Sequence, residues 1–179
     1  MAEWSVLASQ YAIATGLGGQ ELADTIGRVR FFPTQFGSGE AEFNIELEPG
    51  TAFAVPAFFV FGERYDDGGE DEATDDVAEF FFGTTYVETQ LNGSVLMQGF
   101  ASEFGAYQFG PVEFYQPIQY AEPQPRGGRE AVAAILVLGV GSVYGPLPAG
   151  QHTLQITTDS VYGTLDLTYH ITVTPRGRR

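Results

Sequence analysis

The 179 residues include no cysteine, which excludes disulfides, zinc–thiolate sites and thiol catalysis. That absence leaves the compartment open. Basic residues are scarce: Lys and Arg together number 8 against 23 Asp and Glu, giving a formal net charge of −15. Nucleic-acid phosphates and anionic membrane surfaces both need clustered positive charge, so neither is an expected partner. The charge keeps the chain soluble or draws cations to it, and it is also consistent with a salt-rich habitat. Long apolar runs are missing as well. Residues 131–140 (AVAAILVLGV) are too few to span a bilayer, so no transmembrane segment is expected. Met1-Ala2-Glu3-Trp4 shows no basic start leading into an apolar stretch, so no signal peptide is expected within this chain; one removed beforehand would leave no trace.

What is present favours strands. Phe (15) and Tyr (9) far outnumber Met (2), and Gly (23) and Pro (10) suit a fold with many turns. The apolar share of 44% is too high for a disordered chain, and the length suits one domain over 1–179.

The last forty-odd residues carry the clearest pattern. Leu165, Leu167, Tyr169, Ile171 and Val173 alternate with Thr164, Asp166, Thr168, His170 and Thr172, the period of two of a strand with one buried face. The preceding strand, 152–157, places Leu154 and Ile156 on its apolar face, with His152 at the same parity. Matching apolar faces, with a loose turn at 159–162, pairs Leu154 with Leu167, Ile156 with Leu165 and His152 with Tyr169.

Upstream, Trp4, Leu7, Ala8 and Tyr11 form one helical stripe within 3–14, ended by Gly16, Gly18 and Gly19. Residues 28–32 are a candidate first strand. Residues 41–47 alternate with Phe43, Ile45 and Leu47 inward, and Pro49-Gly50 suits a type II turn. Residues 51–55 continue as strand until Pro56 interrupts, and 57–61 is apolar enough to be central. The composition shifts at 63–79 (ERYDDGGEDEATDDVAE), read as a solvated acidic insertion between strands. A Phe-rich strand-like segment follows at 77–86, and Asn92-Gly93 is a hairpin signal. Residues 100–120 are aromatic-rich, 123–129 (PQPRGGR) read as a loop, and 175–179 as a basic tail. The whole implies an all-β, jelly-roll-like antiparallel β sandwich of eight or nine strands with a short N-terminal helix.

Four elements in order carry a resemblance: Ala2-Glu3-Trp4-Ser5, Asp24-Thr25-Ile26-Gly27, the run from Gly50 through Phe53 and Val55 to Pro56, and a close made of Pro146-Leu147, Gly150, His152-Thr153-Leu154 and Tyr169-His170-Ile171-Thr172-Val173. In these the chain resembles a family of largely uncharacterised bacterial exported β-sandwich proteins. The likeness covers both ends and fades between about 62 and 128; the acidic insertion and thinner Trp content depart from it. It implies export and a sandwich, and no established activity.

Candidate chemistry starts with the acidic insertion. Asp66, Asp67, Glu70, Asp71, Asp75 and Asp76 are the candidate metal ligands, with Ca²⁺ the cofactor such oxygens would hold, although the spacing matches no EF-hand. A two-histidine metal centre would need His152 opposite His170, which the packing register disfavours. Paired carboxylates for glycoside chemistry could come from Glu40, Glu42, Glu46, Glu88, Glu103 and Glu113, all near strands, but so many acids make a chance pair easy. Gly141-Ser142 lacks the spacing of a nucleophile elbow, and Gly139, Gly141 and Gly145 miss the dinucleotide fingerprint. Asn92-Gly93-Ser94 fits a glycosylation sequon but is better explained as a turn. The aromatic stretch is first of all core, and secondly a surface for a sugar or partner. The expected function is therefore a non-catalytic extracytoplasmic protein, secreted or in the cell envelope, acting by ligand binding or self-assembly. The alternative is a carbohydrate-active enzyme using acids in the sandwich groove.

Overall fold

A computed structural model of the chain describes residues 2–18, 22–72 and 74–174. Its elements are α1 (Ala2–Leu17), β1 (Thr25–Ile26), β2 (Val29–Phe31), β3 (Gly39–Leu47), β4 (Ala52–Tyr65), α2 (Asp75–Thr84), β5 (Tyr86–Leu91), β6 (Ser94–Phe100), β7 (Gln108–Arg126), β8 (Arg129–Tyr144), β9 (Gly150–Ser160) and β10 (Gly163–Val173). The strands form two five-stranded sheets, ordered β1–β2–β4–β8–β7 and β3–β10–β9–β5–β6. This is the expected β sandwich with an N-terminal helix. Two pairings within it are parallel, β2 with β4 and β3 with β10. The turn at Pro49-Gly50, closed by Thr51 N–H donating to the Glu48 carbonyl at 3.1 Å, carries the chain from β3 in one sheet to β4 in the other. β2 and β4 therefore meet side by side with β3 between them in sequence only. No helix among the described residues is long and apolar enough to cross a membrane.

The inter-sheet core holds Leu154, Ile156, Leu167, Tyr169, Ile171 and Val173 from the second sheet against Phe53, Val55, Leu138 and Val140 from the first. The alternation in β10 thus selects its buried face correctly. The register differs from expectation by two residues: Leu154 pairs with Tyr169, Ile156 with Leu167 and His152 with Ile171. The turn is tighter than its composition suggests, with Ser160 opposite Gly163 and only Val161 and Tyr162 between. A two-residue slide preserves parity, so every side chain keeps its face.

Helix α1 covers the outer face of the first sheet. Its buried side is made of small residues, Ser5, Ala8, Ser9 and Ala12, with Ile13 and Ala14. Gly141 of β8 lies beneath: a Cβ there would stand 2.8 Å from Ser5 Oγ. The glycines at 139 and 141 thus serve close packing rather than a phosphate. The Trp4, Leu7 and Tyr11 stripe flanks this contact and packs round Phe31, with ring centroids 6.2 Å away for Trp4 and 6.0 Å for Tyr11.

Two segments take another form than their composition implies. Residues 77–84 belong to a helix, not a strand. Thr74 caps α2 by accepting the Val77 N–H at 3.3 Å, Asp75 and Asp76 favour its positive N-terminal end, and Ala78 and Phe82, one turn apart, are buried. Residues 123–126 and 129 are strand, because Gly127-Gly128 alone makes the turn between β7 and β8. The Asn92-Gly93 hairpin forms as expected, Asn92 with φ +52° and Gly93 with φ +76°. Gly19 and the basic tail at 175–179 lie outside the described residues.

Buried tyrosines give the fold an alkaline limit. Tyr169 is fully buried, and its hydroxyl donates to the Pro33 carbonyl at 2.9 Å. Burial pushes its phenol up; burial does the same at Tyr120, helped by the hydrogen bond to Glu63 and that carboxylate's charge. Above about pH 10 the unfolded chain loses protons that these folded phenols keep, so stability falls as pH rises, by up to about 1.4 kcal/mol per pH unit for each group. Urea midpoints measured between roughly pH 9 and pH 11 should show this fall, and Tyr169→Phe should make it shallower.

Candidate ligand-binding cleft

The cleft arises where β4 loses a neighbour. β2 pairs with β4 only from Ala52 to Ala54, so from Val55 to Gly62 β4 is paired on the β8 side alone among the described residues, before Arg64 bridges Glu70 of the acidic segment. Ala52 N–H and the Ala54 carbonyl bond toward β2. Pro56, at the same parity, points its missing N–H to the free side, where it interrupts no ladder. The chain at 32–38 crosses this edge on its way to β3, and the Phe36 ring sits edge-on to Phe59 and Phe61, 5.7 Å from each. Between this crossing, β4 and the β9–β10 hairpin lies a cleft of about 550 Å³.

Its walls are mainly apolar: Phe58, Val60 and Phe61 from β4, Leu165 and Leu167 from β10. The Thr158 hydroxyl in the wall is already committed, donating to the Ala57 carbonyl at 2.8 Å. Tyr162, at the hairpin tip, is 61% exposed and stacks on Phe81 of α2 at 5.9 Å. Glu63 and Arg126 are the charged residues that line the cleft. Glu63 is 5% exposed. Its carboxylate accepts from Tyr120 Oη at 2.8 Å and from Arg126 Nε at 2.8 Å and Nη2 at 3.2 Å. Burial would lower the guanidinium, but the hydrogen bond to Glu63 and its charge outweigh that and leave Arg126 raised. The pair is a two-pronged contact between opposite charges, the geometry in which burying a carboxylate is tolerated.

The acidic insertion closes the far end of β4. The Asp71 carboxylate accepts from the Glu63 N–H and the Tyr65 hydroxyl, each at 2.9 Å. Glu70 pairs with Arg64 at 2.6 Å, Asp67 accepts the Gly69 N–H at 2.8 Å, and Asp66 accepts the Glu130 N–H at 3.3 Å. Asp75 and Asp76 sit in the first turn of α2. Four of the six candidate ligands are thus spread over separate bonds, and the other two lie on a helix. Among the described residues no three His, Asp or Glu side chains are grouped as a metal ion requires. The acids at 66, 67, 70, 72, 75, 76 and 79 are exposed, as a solvated segment requires, but the segment is not one loop: residues 63–65 end β4 and residues 75–79 open α2.

The other candidates are also apart. His152 accepts from the Asn92 amide at Nδ1 (3.0 Å) and donates to the Pro148 carbonyl from Nε2 (2.9 Å), so it braces two turns. His170 lies on the opposite parity, 3.4 Å from Glu42. Glu88 binds the amides of Gln90 and Gln98, and Glu113 lines a separate depression together with Glu70, Asp71 and Glu72. Ser142 is buried against Met97 Sδ at 3.5 Å. Of the aromatic stretch, Phe109, Phe114 and Tyr120 are core, whereas Tyr115 is fully exposed.

Sequence reasoning overlooked Glu63, Arg126 and Tyr120. The place of Glu63, two residues past the apolar run 57–61, was a usable signal although it opens the acidic stretch; its arginine partner, 63 positions away, was not. No family model matches the chain, and no curated protein matches it. Among solved structures it is similar to the M1 domain from titin, with 10% identity over 79% of this chain and 94% of that one and a TM-score of 0.29, too low to argue from.

Proposed function

We propose that this is a non-catalytic binding protein that holds a small, largely apolar molecule in the cleft beside β4. The observation that carries this reading is the cleft itself: a volume within the usual range for small-molecule sites, mainly apolar walls, and the paired Glu63 and Arg126 as its charged groups. The enzyme alternative has less support, because the cleft lining contains a single carboxylate, Glu63, bound on both oxygens by Arg126 and Tyr120. A sugar would want many unpaired donors and acceptors, and these walls offer few. Work outside the cytoplasm follows from the resemblance of the chain ends. N-phenyl-1-naphthylamine, an uncharged fluorescent probe, should brighten on binding with a Kd of roughly 1–10 µM. Leu165→Trp, which fills the cleft, should abolish that signal. A probe response unchanged by Leu165→Trp would sink the reading.

Self-assembly has its own support in the sheet edges. β1 is two residues long, β7 carries Pro111, Pro117, Pro123 and Pro125 with three register shifts, and β3 carries Glu40, Glu42 and Glu46. Short length, proline, bulges and charge each discourage edge pairing. β6 (SVLMQGF) has neither proline nor charge, and Val95, Leu96 and Phe100 are about half exposed. Its sole such device is one bulge at Leu96. Sedimentation velocity should show weak, concentration-dependent association that Leu96→Lys removes. A wild-type chain that stays monomeric at high concentration would remove this second reading.

A further inference from the structure

The cleft lining carries one positive and one negative group, Arg126 and Glu63, joined to each other. It is therefore locally neutral within a chain of net charge −15. An anionic ligand would meet the repulsion of the whole molecule and, at Arg126, the nearby Glu63 carboxylate. A cationic ligand would find Glu63 already occupied and would face Arg126. Yet the polar end is not closed to hydrogen bonding. Of the five N–H groups of a guanidinium, Arg126 uses Nε–H and one Nη2–H on Glu63 and one Nη1–H on the Pro125 carbonyl, which leaves two for a ligand on a side chain that lines the cleft. Both are donors, and the nearest carboxylate is already taken, so the complementary group is a neutral acceptor.

We propose that the ligand is an uncharged amphiphile: an apolar chain or ring system lying between β4 and β10, with one carbonyl or hydroxyl oxygen on the free N–H groups of Arg126. This rests on the binding reading above and adds the charge and orientation of the ligand. The Glu63–Arg126 pair then works in two ways. Glu63 holds the guanidinium in place and cancels its charge, so recognition turns on hydrogen bonding rather than on attraction between ions.

The experiment is a competition series against N-phenyl-1-naphthylamine on the intact chain, with four ten-carbon competitors: decanamide, 1-decanol, decanoate and decylammonium. The two neutral heads should displace the probe at concentrations about tenfold lower than the two charged ones, the effect of one well-placed hydrogen bond kept against one charge buried without a partner. In the double variant Glu63→Gln/Arg126→Met the decanamide-to-decanoate ratio should collapse to within about threefold, because the free donors and the fixed carboxylate are both gone. Probe binding without any head-group preference, or with decanoate or decylammonium strongest, overturns the proposal while the cleft reading stands. Absence of Leu165-sensitive probe binding overturns both. A wild-type preference for neutral heads that survives unaltered in the double variant also overturns it, since Arg126 is then not the recognising group.

Discussion

Gly139→Ala is expected to destabilise the protein by about 3 kcal/mol or more, the upper end of what overpacking costs. Gly139 lies mid-strand in β8, opposite Phe59 of β4 and Phe109 of β7. A Cβ on it would stand 2.2 Å from the Phe58 carbonyl oxygen and 2.8 Å from Phe59 Cα. Both atoms are backbone, so no rotamer change relieves the overlap. The strands must separate at the bulge where β4 shifts register between Pro56 and Phe58. Gly83→Ala is the control. Nothing lies within 4 Å of its Cβ position in α2, so the change should stabilise by roughly 0.5–1 kcal/mol through helix propensity. Urea denaturation of the two variants reads both signs. A Gly139→Ala protein within about 0.5 kcal/mol of wild type would show that β4 and β8 do not pass as close as described.

Arg126→Met should cost about 3 kcal/mol, because it strands the Glu63 carboxylate at 5% exposure with only Tyr120 left to donate to it. The figure sits at the low end for breaking a buried pair, because the arginine side chain itself is 42% exposed. Glu63→Gln/Arg126→Met should recover most of the loss, since a neutral amide needs no counter-charge. The double-mutant cycle therefore separates the cost of an orphaned charge from the net worth of the pair. If the single variant loses less than about 1 kcal/mol, water reaches Glu63 and the cleft end is wetter than its packing implies.

The two predictions depend on features of different visibility. The alternation of β10, the apolar run of β8, the Pro49-Gly50 and Asn92-Gly93 turns and the helical stripe at Trp4, Leu7 and Tyr11 were all legible, because each is a local pattern of two to ten residues. Residues 77–84 misled because three phenylalanines look like strand, while the cap at Thr74 acts at the backbone level and Asp75-Asp76 resembled more of the acidic run. The six acids looked like one cluster because they are close in sequence. Folding spread them out: Asp66, Asp67, Glu70 and Asp71 each find a nearby N–H, a tyrosine hydroxyl or Arg64, and Asp75 and Asp76 open α2.

Sequence alone determined which side chains turn inward along β9 and β10, since parity and hydrophobicity are properties of neighbours on the chain. It also excluded thiol chemistry, and its net charge of −15 disfavours polyanions. Tertiary structure decided where β2 stops, that β4 has a free edge between Val55 and Gly62, and that Glu63 meets Arg126 across 63 positions. Such contacts come from how two sheets stack and twist past one another, and local composition carries no record of that geometry.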